Sequence, residues 1–125
     1  MYGLNVNKAW TQIGEDIVGE YYDDYSGTSV SLSADGETLA IGADRNDGIN
    51  GSSSGHVRVY RLDANQDWKK IGDDIDGEDA GDRSGFSVSL SADGMTVAIG
   101  APRNDGIGHV RVYRLGDDNL AWKKI

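Results

Sequence analysis

The chain has 125 residues, room for one domain of ordinary size. Its formal net charge of -9 and pI near 4.4 repel nucleic acid and anionic lipid, so neither is expected as a partner. The absence of cysteine excludes disulfides and thiolate metal sites, and no run approaches the roughly 20 apolar residues that a membrane span needs, so no membrane insertion is expected.

In chain order, Met1-Tyr2-Gly3-Leu4-Asn5 has neither a basic n-region nor an apolar h-region, so no signal peptide is expected in this chain. Residues 10–17 read as a strand segment standing alone. Residues 28–33 alternate as T-S-V-S-L-S, and Ala34-Asp35-Gly36 gives a tight turn with an Asp-Gly hairpin signature. Thr38–Ala43 is the second strand, 44–55 a polar loop, His56–Leu62 the third strand and 68–72 the fourth. The pattern then returns at 86–91, Thr96–Ala101, His109–Leu115 and from Trp122 onward. No segment carries apolar residues at helical spacing over a helical length, so no long helix is predicted.

The return is a repeat. Residues 10–49 align with 68–107 without a gap, and Gly55-His56-Val57-Arg58-Val59-Tyr60-Arg61-Leu62 recurs intact from Gly108 to Leu115. Roughly three quarters of the aligned positions are identical, and a third copy opens at Trp122-Lys123-Lys124-Ile125. Period-two counting puts Val30, Leu32, Leu39, Ile41, Val57 and Val59 on one face, opposite the small Ser29, Ser31, Ser33, Ala40 and Gly42. A sheet with one bulky and one small face stacks on a copy of itself. The expected fold is therefore all-β: β-propeller blades of four antiparallel strands, two per chain. Residues 19–75 form the first blade and 76–125 the second, with 1–18 as a preceding fourth-strand segment.

Two blades cannot close a ring, so the chain is expected to complete one as a homo-oligomer, a trimer or tetramer. Residues 10–17 would then be lent to a neighbouring chain and pair with its His109–Leu115. The shorter 122–125 segment would be displaced or frayed.

At Asp82-Arg83-Ser84-Gly85-Phe86-Ser87-Val88, Ala98-Ile99-Gly100-Ala101-Pro102 and Gly108-His109-Val110-Arg111-Val112-Tyr113, the chain resembles the FG-GAP repeat. This is the blade unit of integrin α-subunit propellers and of many bacterial and algal surface proteins. The resemblance covers nearly the whole chain and implies an extracellular or cell-surface location. Two features depart from the pattern: Ser26 and Ser84 replace the Phe of "FG", and the first "GAP" reads Gly42-Ala43-Asp44. Calcium-binding members carry an Asp-rich loop between the first two strands. Here that loop is Ser33-Ala34-Asp35-Gly36 or Ser91-Ala92-Asp93-Gly94, with one carboxylate against the six to eight oxygen ligands that calcium takes. Neither metal nor cofactor is expected.

Catalysis has little to build on. Gly51-Ser52-Ser53-Ser54-Gly55 matches G-x-S-x-G but precedes a strand where a nucleophile elbow needs a helix. Asn50-Gly51-Ser52 is a glycosylation sequon if the chain is secreted. His56 and His109 open equivalent strands without a partner that repeats beside them, a structural pattern.

The candidate ligand-binding set lies on the loops that share one face of a propeller. Glu20, Asp24, Arg45, Asn46 and Asp47 recur as Glu78, Asp82, Arg103, Asn104 and Asp105. These residues suit a polar ligand, and equally suit tying loops together. Trp10, Trp68 and Trp122 open successive fourth strands and suit either strand anchoring or sugar stacking. The expected function is non-enzymatic: binding or adhesion to a protein or glycan, or self-assembling scaffolding. A lectin-like propeller is the alternative and a hydrolase a distant one.

Overall fold

The computed structural model describes residues 2–4, 9–21, 23–48 and 50–125. Of the N-terminal segment 1–18, residues 1 and 5–8 thus lie outside the described residues. In chain order the strands are β1 (Tyr2–Leu4), β2 (Trp10–Gln12), β3 (Ser26–Leu32), β4 (Thr38–Ala43), β5 (His56–Leu62) and β6 (Trp68–Lys70). There follow β7 (Ile75–Asp76), β8 (Ser87–Leu90), β9 (Thr96–Ala101), β10 (His109–Leu115) and β11 (Trp122–Lys124). The only helical feature among the described residues is a 3-10 turn at Asn104–Gly106. No helix among them is long and apolar enough to cross a membrane.

The strands form two antiparallel sheets and a hairpin. The first sheet runs β3-β4-β5-β6, with β7 also paired to β5; the second runs β8-β9-β10-β11; β1 and β2 pair with each other. Each sheet opens on the same turn. Gly36 N–H donates to Ser33 O at 3.0 Å with Gly36 at φ +74°, and Gly94 does the same to Ser91 O at 2.9 Å. This five-residue connection is longer than an Asp-Gly two-residue hairpin. The Asp side chain folds inward: Asp35 Oδ1 accepts from Ser33 Oγ at 2.7 Å and from Glu37 N–H at 2.9 Å. Those bonds, the backbone one first, hold its carboxyl below the ordinary aspartate range. The Asp35 carboxylate is spent on the turn itself.

The two sheets pack face to face, bulky against small. Cross-strand partners share a face. Val30 pairs with Ile41 and Leu32 with Leu39, whereas Ala40 pairs with Val59 and Gly42 with Val57. Val57 and Val59 therefore lie with Ser29, Ser31, Ala40 and Gly42, not with the bulky set to which counting by two assigned them. Parity carries no register across the loop between β4 and β5; only the pairing does. Val57, Val59 and Ala40 are fully buried and join Ile75, Val97 and Ile99 in one core, with Val88, Leu90, Tyr113 and Trp122 packed around it.

The small face permits a close approach. A Cβ on Gly42 would lie 2.0 Å from Gly85 O, so only glycine fits there. Ser29 Oγ donates to Gly85 O at 2.8 Å, and Leu90 N–H donates to Ser31 Oγ at 2.9 Å. Serines on this face thus bridge the sheets while leaving room for the aliphatic side chains opposite.

Within the single chain Trp122–Lys124 takes the fourth-strand place of the second sheet. It pairs with β10 in the register Leu115↔Trp122, Arg114↔Lys123 and Tyr113↔Lys124. The same register recurs at Leu62↔Trp68 and at Leu4↔Trp10. A chain folding alone offers this edge no nearer partner, so the local hairpin takes it.

Candidate functional site

The recurring loop residues resolve into two kinds of bond. Asp24, 4% exposed, accepts on Oδ2 from Tyr21 N–H at 3.1 Å and from Asn46 Nδ2 at 2.8 Å. Asp82 repeats this with Asp79 N–H at 3.0 Å and Asn104 Nδ2 at 2.9 Å. Each pair joins the loop entering a sheet to the loop after its second strand. Glu20 and Glu78 form equivalent ion pairs with Arg58 and Arg111 of the third strands.

The remaining members lie nearer the surface than the buried Asp–Asn pairs. Arg45 lies over the Tyr25 ring, 4.4 Å from its centroid, and Asp47 Oδ1 accepts from Ser53 N–H at 2.9 Å. Arg103 and Asp105 are exposed, Asp105 with φ +48° in the 3-10 turn. The structure thus brings Glu20, Asp24, Asn46 and Asp47 to one region around the first sheet and their counterparts to another. Most of them hold loops.

A cluster that the sequence reading missed lies beside the first set. One ligand atom each from His56, Asp74 and Asp76 falls within 4.8 Å of the other two. They line a cleft of about 260 Å³ together with Glu20, Tyr21, Asn46, Asp47 and Gly48. The pairing of β5 with β7 builds the cluster by setting His56 opposite Asp76. Asp74 is held by Arg58, through Nε at 2.8 Å and a second nitrogen at 2.9 Å, and by Lys70 Nζ at 2.7 Å.

The electrostatics follow from these placements. Burial acts to raise the Asp74 carboxyl, but the Arg58 and Lys70 bonds prevail and bring it down to about 2. Burial pushes the His56 imidazole below the ordinary histidine range, with the Arg58 charge adding to it. Burial raises the Asp76 carboxyl, and the Asp74 charge raises it further. The one sequence signal was the Asp73-Asp74-Ile75-Asp76 run; its meaning depended on a strand pairing that the run does not announce.

The other candidates are structurally engaged. Ser53, the middle of the G-x-S-x-G match, sits at φ +53° in a loop that leads into β5, not into a helix. Asn50 Nδ2 donates to Gly77 O at 2.6 Å. Trp68 and Trp122 are half-buried, and Trp10 is 69% exposed. No protein-family model matches this chain, and no curated protein does.

Proposed function

We propose that this chain is a non-enzymatic assembly module: two β-propeller blades whose copies stack head to tail into a ring, with the loop face left for recognition or adhesion. One observation carries the reading. The small surface that the first sheet presents to the second recurs, residue for residue, on the free face of the second sheet. Ser29, Ser31, Ala40, Gly42, Val57 and Val59 return as Ser87, Ser89, Ala98, Gly100, Val110 and Val112. The bulky surface recurs as well, Val88, Leu90, Val97 and Ile99 answering to Val30, Leu32, Leu39 and Ile41.

Inside the chain one copy of each surface is covered; of the other copies, the small face of the second sheet is open at Val110, and the bulky face of the first is open at Val30 and Leu32 while Leu39 and Ile41 are buried. Val57 is 0% exposed and Val110 69%, while Val30 on the other outer face is 60% exposed. The open faces are two halves of an interface that the molecule already makes, so the occupant that fits them is a second copy. Such a contact is heterologous and closes only as a ring; propellers have about four to eight blades, which favours a trimer or tetramer. The FG-GAP resemblance supports the blade reading and a surface location.

Gly100→Ala tests the assembly. Within the chain an added Cβ there clashes only with Ser87 Oγ, the end of a movable side chain in the same sheet, and touches Ser87 Cβ and O at ordinary contact distance. In a stack it would meet a neighbour's backbone, as Gly42 would meet Gly85 O. Sedimentation at micromolar concentration should give a trimer or tetramer for the wild type and a folded monomer for G100A. A monomeric wild type, or G100A assembling unchanged, would overturn the reading.

A further inference from the structure

We propose that His56, Asp74 and Asp76 bind one divalent transition-metal ion, with Ser54 and Asn46 closing the site from the loop between β4 and β5. The three primary groups come from both ends of the β5–β7 pairing, so the fold, not a local motif, assembles them. Metal–ligand bonds of about 2.0–2.2 Å in a tetrahedral array put ligand atoms roughly 3.3–3.6 Å apart. The observed spread of up to 4.8 Å closes to that with side-chain shifts of about an ångström, within reach of rotamer adjustment.

An independent feature points to the same place. Ser54 is fully buried, and its Oγ has no hydrogen-bond partner among the described residues. Such a buried hydroxyl calls for an explanation. It borders the empty point where a Cβ on Gly48 would stand, 3.0 Å from Ser54 Oγ, 3.2 Å from Asp76 Oδ1 and 3.5 Å from Asn46 Oδ1. Asn46 is turned this way because its Nδ2 is committed to Asp24. Three oxygens, two from the β4–β5 loop and one from β7, thus converge beside the His56 cluster.

The local charges allow an ion. Arg58 and Lys70 take three of the roughly four acceptor positions on Asp74, which leaves one and fixes its orientation. Among the described residues the Asp76 carboxylate takes part in no hydrogen bond or ion pair, and Arg58 and Lys70 act on it only at a distance. The neutral imidazole supplies one nitrogen lone pair to an ion. One imidazole with two carboxylates selects Zn²⁺ or Mn²⁺ over Ca²⁺, which prefers oxygen alone. Bound there, the ion would clamp the β4–β5 loop to the segment that leads into the second sheet.

The test is calorimetric titration of the full chain with Zn²⁺ at about 0.15 M salt, which screens the acidic surface. The expected result is one ion per chain at micromolar affinity, with Ca²⁺ at least tenfold weaker. Asp76→Asn and His56→Gln should each weaken Zn²⁺ binding at least tenfold, and Asp117→Asn, on an exposed turn, should leave it unchanged. Should His56→Gln fail to fold, Asp76→Asn decides alone, because it removes no hydrogen bond to a described residue. No saturable binding, equal affinity for Ca²⁺, or full binding by Asp76→Asn would overturn the site.

Discussion

The indole Nε1 of Trp68 donates to the backbone carbonyl of Ile13 at 3.1 Å, across 55 residues of chain. Trp122 makes the same bond to Ile71 at 3.2 Å. Each indole also rests on the next glycine: a Cβ on Gly14 would lie 2.7 Å from Trp68 Cδ1, and one on Gly72 2.6 Å from Trp122 Nε1. Residues 10–17 therefore stand to the first sheet as residues 68–75 stand to the second. Trp68→Phe keeps most of the packing and loses the bond, so it should cost about 1 kcal/mol. Trp68→Ala should cost about 3 kcal/mol. Urea midpoints measure both, and a Trp68→Phe variant as stable as wild type would show that packing alone anchors the outer strand.

The buried Asp24–Asn46 pair should matter more than its place on loops suggests. Asp24→Ala strands the Tyr21 N–H and Asn46 Nδ2 donors, a loss of about 1–3 kcal/mol. The Asp82/Asn104 pair should show a similar coupling in a double-mutant cycle on urea unfolding. Additive effects in that cycle would mean that the two side chains stabilise their loops independently.

Most of the strands were legible because alternation and turn residues are local signals, and 28–33 with its Asp-Gly turn is the plainest case. The sides of the sheet were legible only within a strand. Val57 and Val59 went to the wrong face because a long loop separates them from Ile41, and their register is fixed by tertiary pairing. The brief β7 was invisible for the same reason: Ile75 and Asp76 form a strand only against Val57 and His56. The loop residues announced themselves by recurring, yet nothing local said that Asp24 would meet Asn46, 22 residues away, or Glu20 meet Arg58. The His56 cluster lay beyond reach until that pairing was known.

The Arg58–Asp74 pair gives a pH dependence of definite sign. The folded-state value for Asp74, about 2, lies below the ordinary aspartate value of 3.8. Its stabilisation is therefore complete above the higher value and is lost as pH falls toward the lower one. For a partly exposed pair it should amount to about 0.5–1 kcal/mol. In EDTA, the stability gap between wild type and Asp74→Asn should be flat from about pH 7 to about pH 5 and shrink below about pH 4. A gap that persists unchanged near pH 2 would assign the effect of the substitution to something other than charge.

The last prediction concerns which strand completes the second sheet when copies stack. Within one chain Trp122–Lys124 holds that edge by three register pairs. The corresponding edge of the first sheet is held by five: three through β6, and two more where Ile75 and Asp76 meet Val57 and His56. Residues 10–18 match 68–76 in length, and Ile17 repeats Ile75, so in a neighbour they can supply the longer pairing that Trp122–Ile125 cannot. The hairpin register Leu4↔Trp10, equal to Leu115↔Trp122, already holds β2 in an outer-strand geometry. Exchange then replaces a short local strand with a longer one from the next chain, and it seals an edge that would otherwise be open. Deleting residues 1–18 should lower the assembled fraction at least tenfold at a given concentration. Deleting 122–125 should destabilise the isolated chain yet leave assembly intact or favour it, because the competing strand is gone. Sedimentation of the two truncated chains decides the matter: if loss of 122–125 is the more damaging to assembly, each copy keeps its own Trp122 and the N-terminal strand is not exchanged.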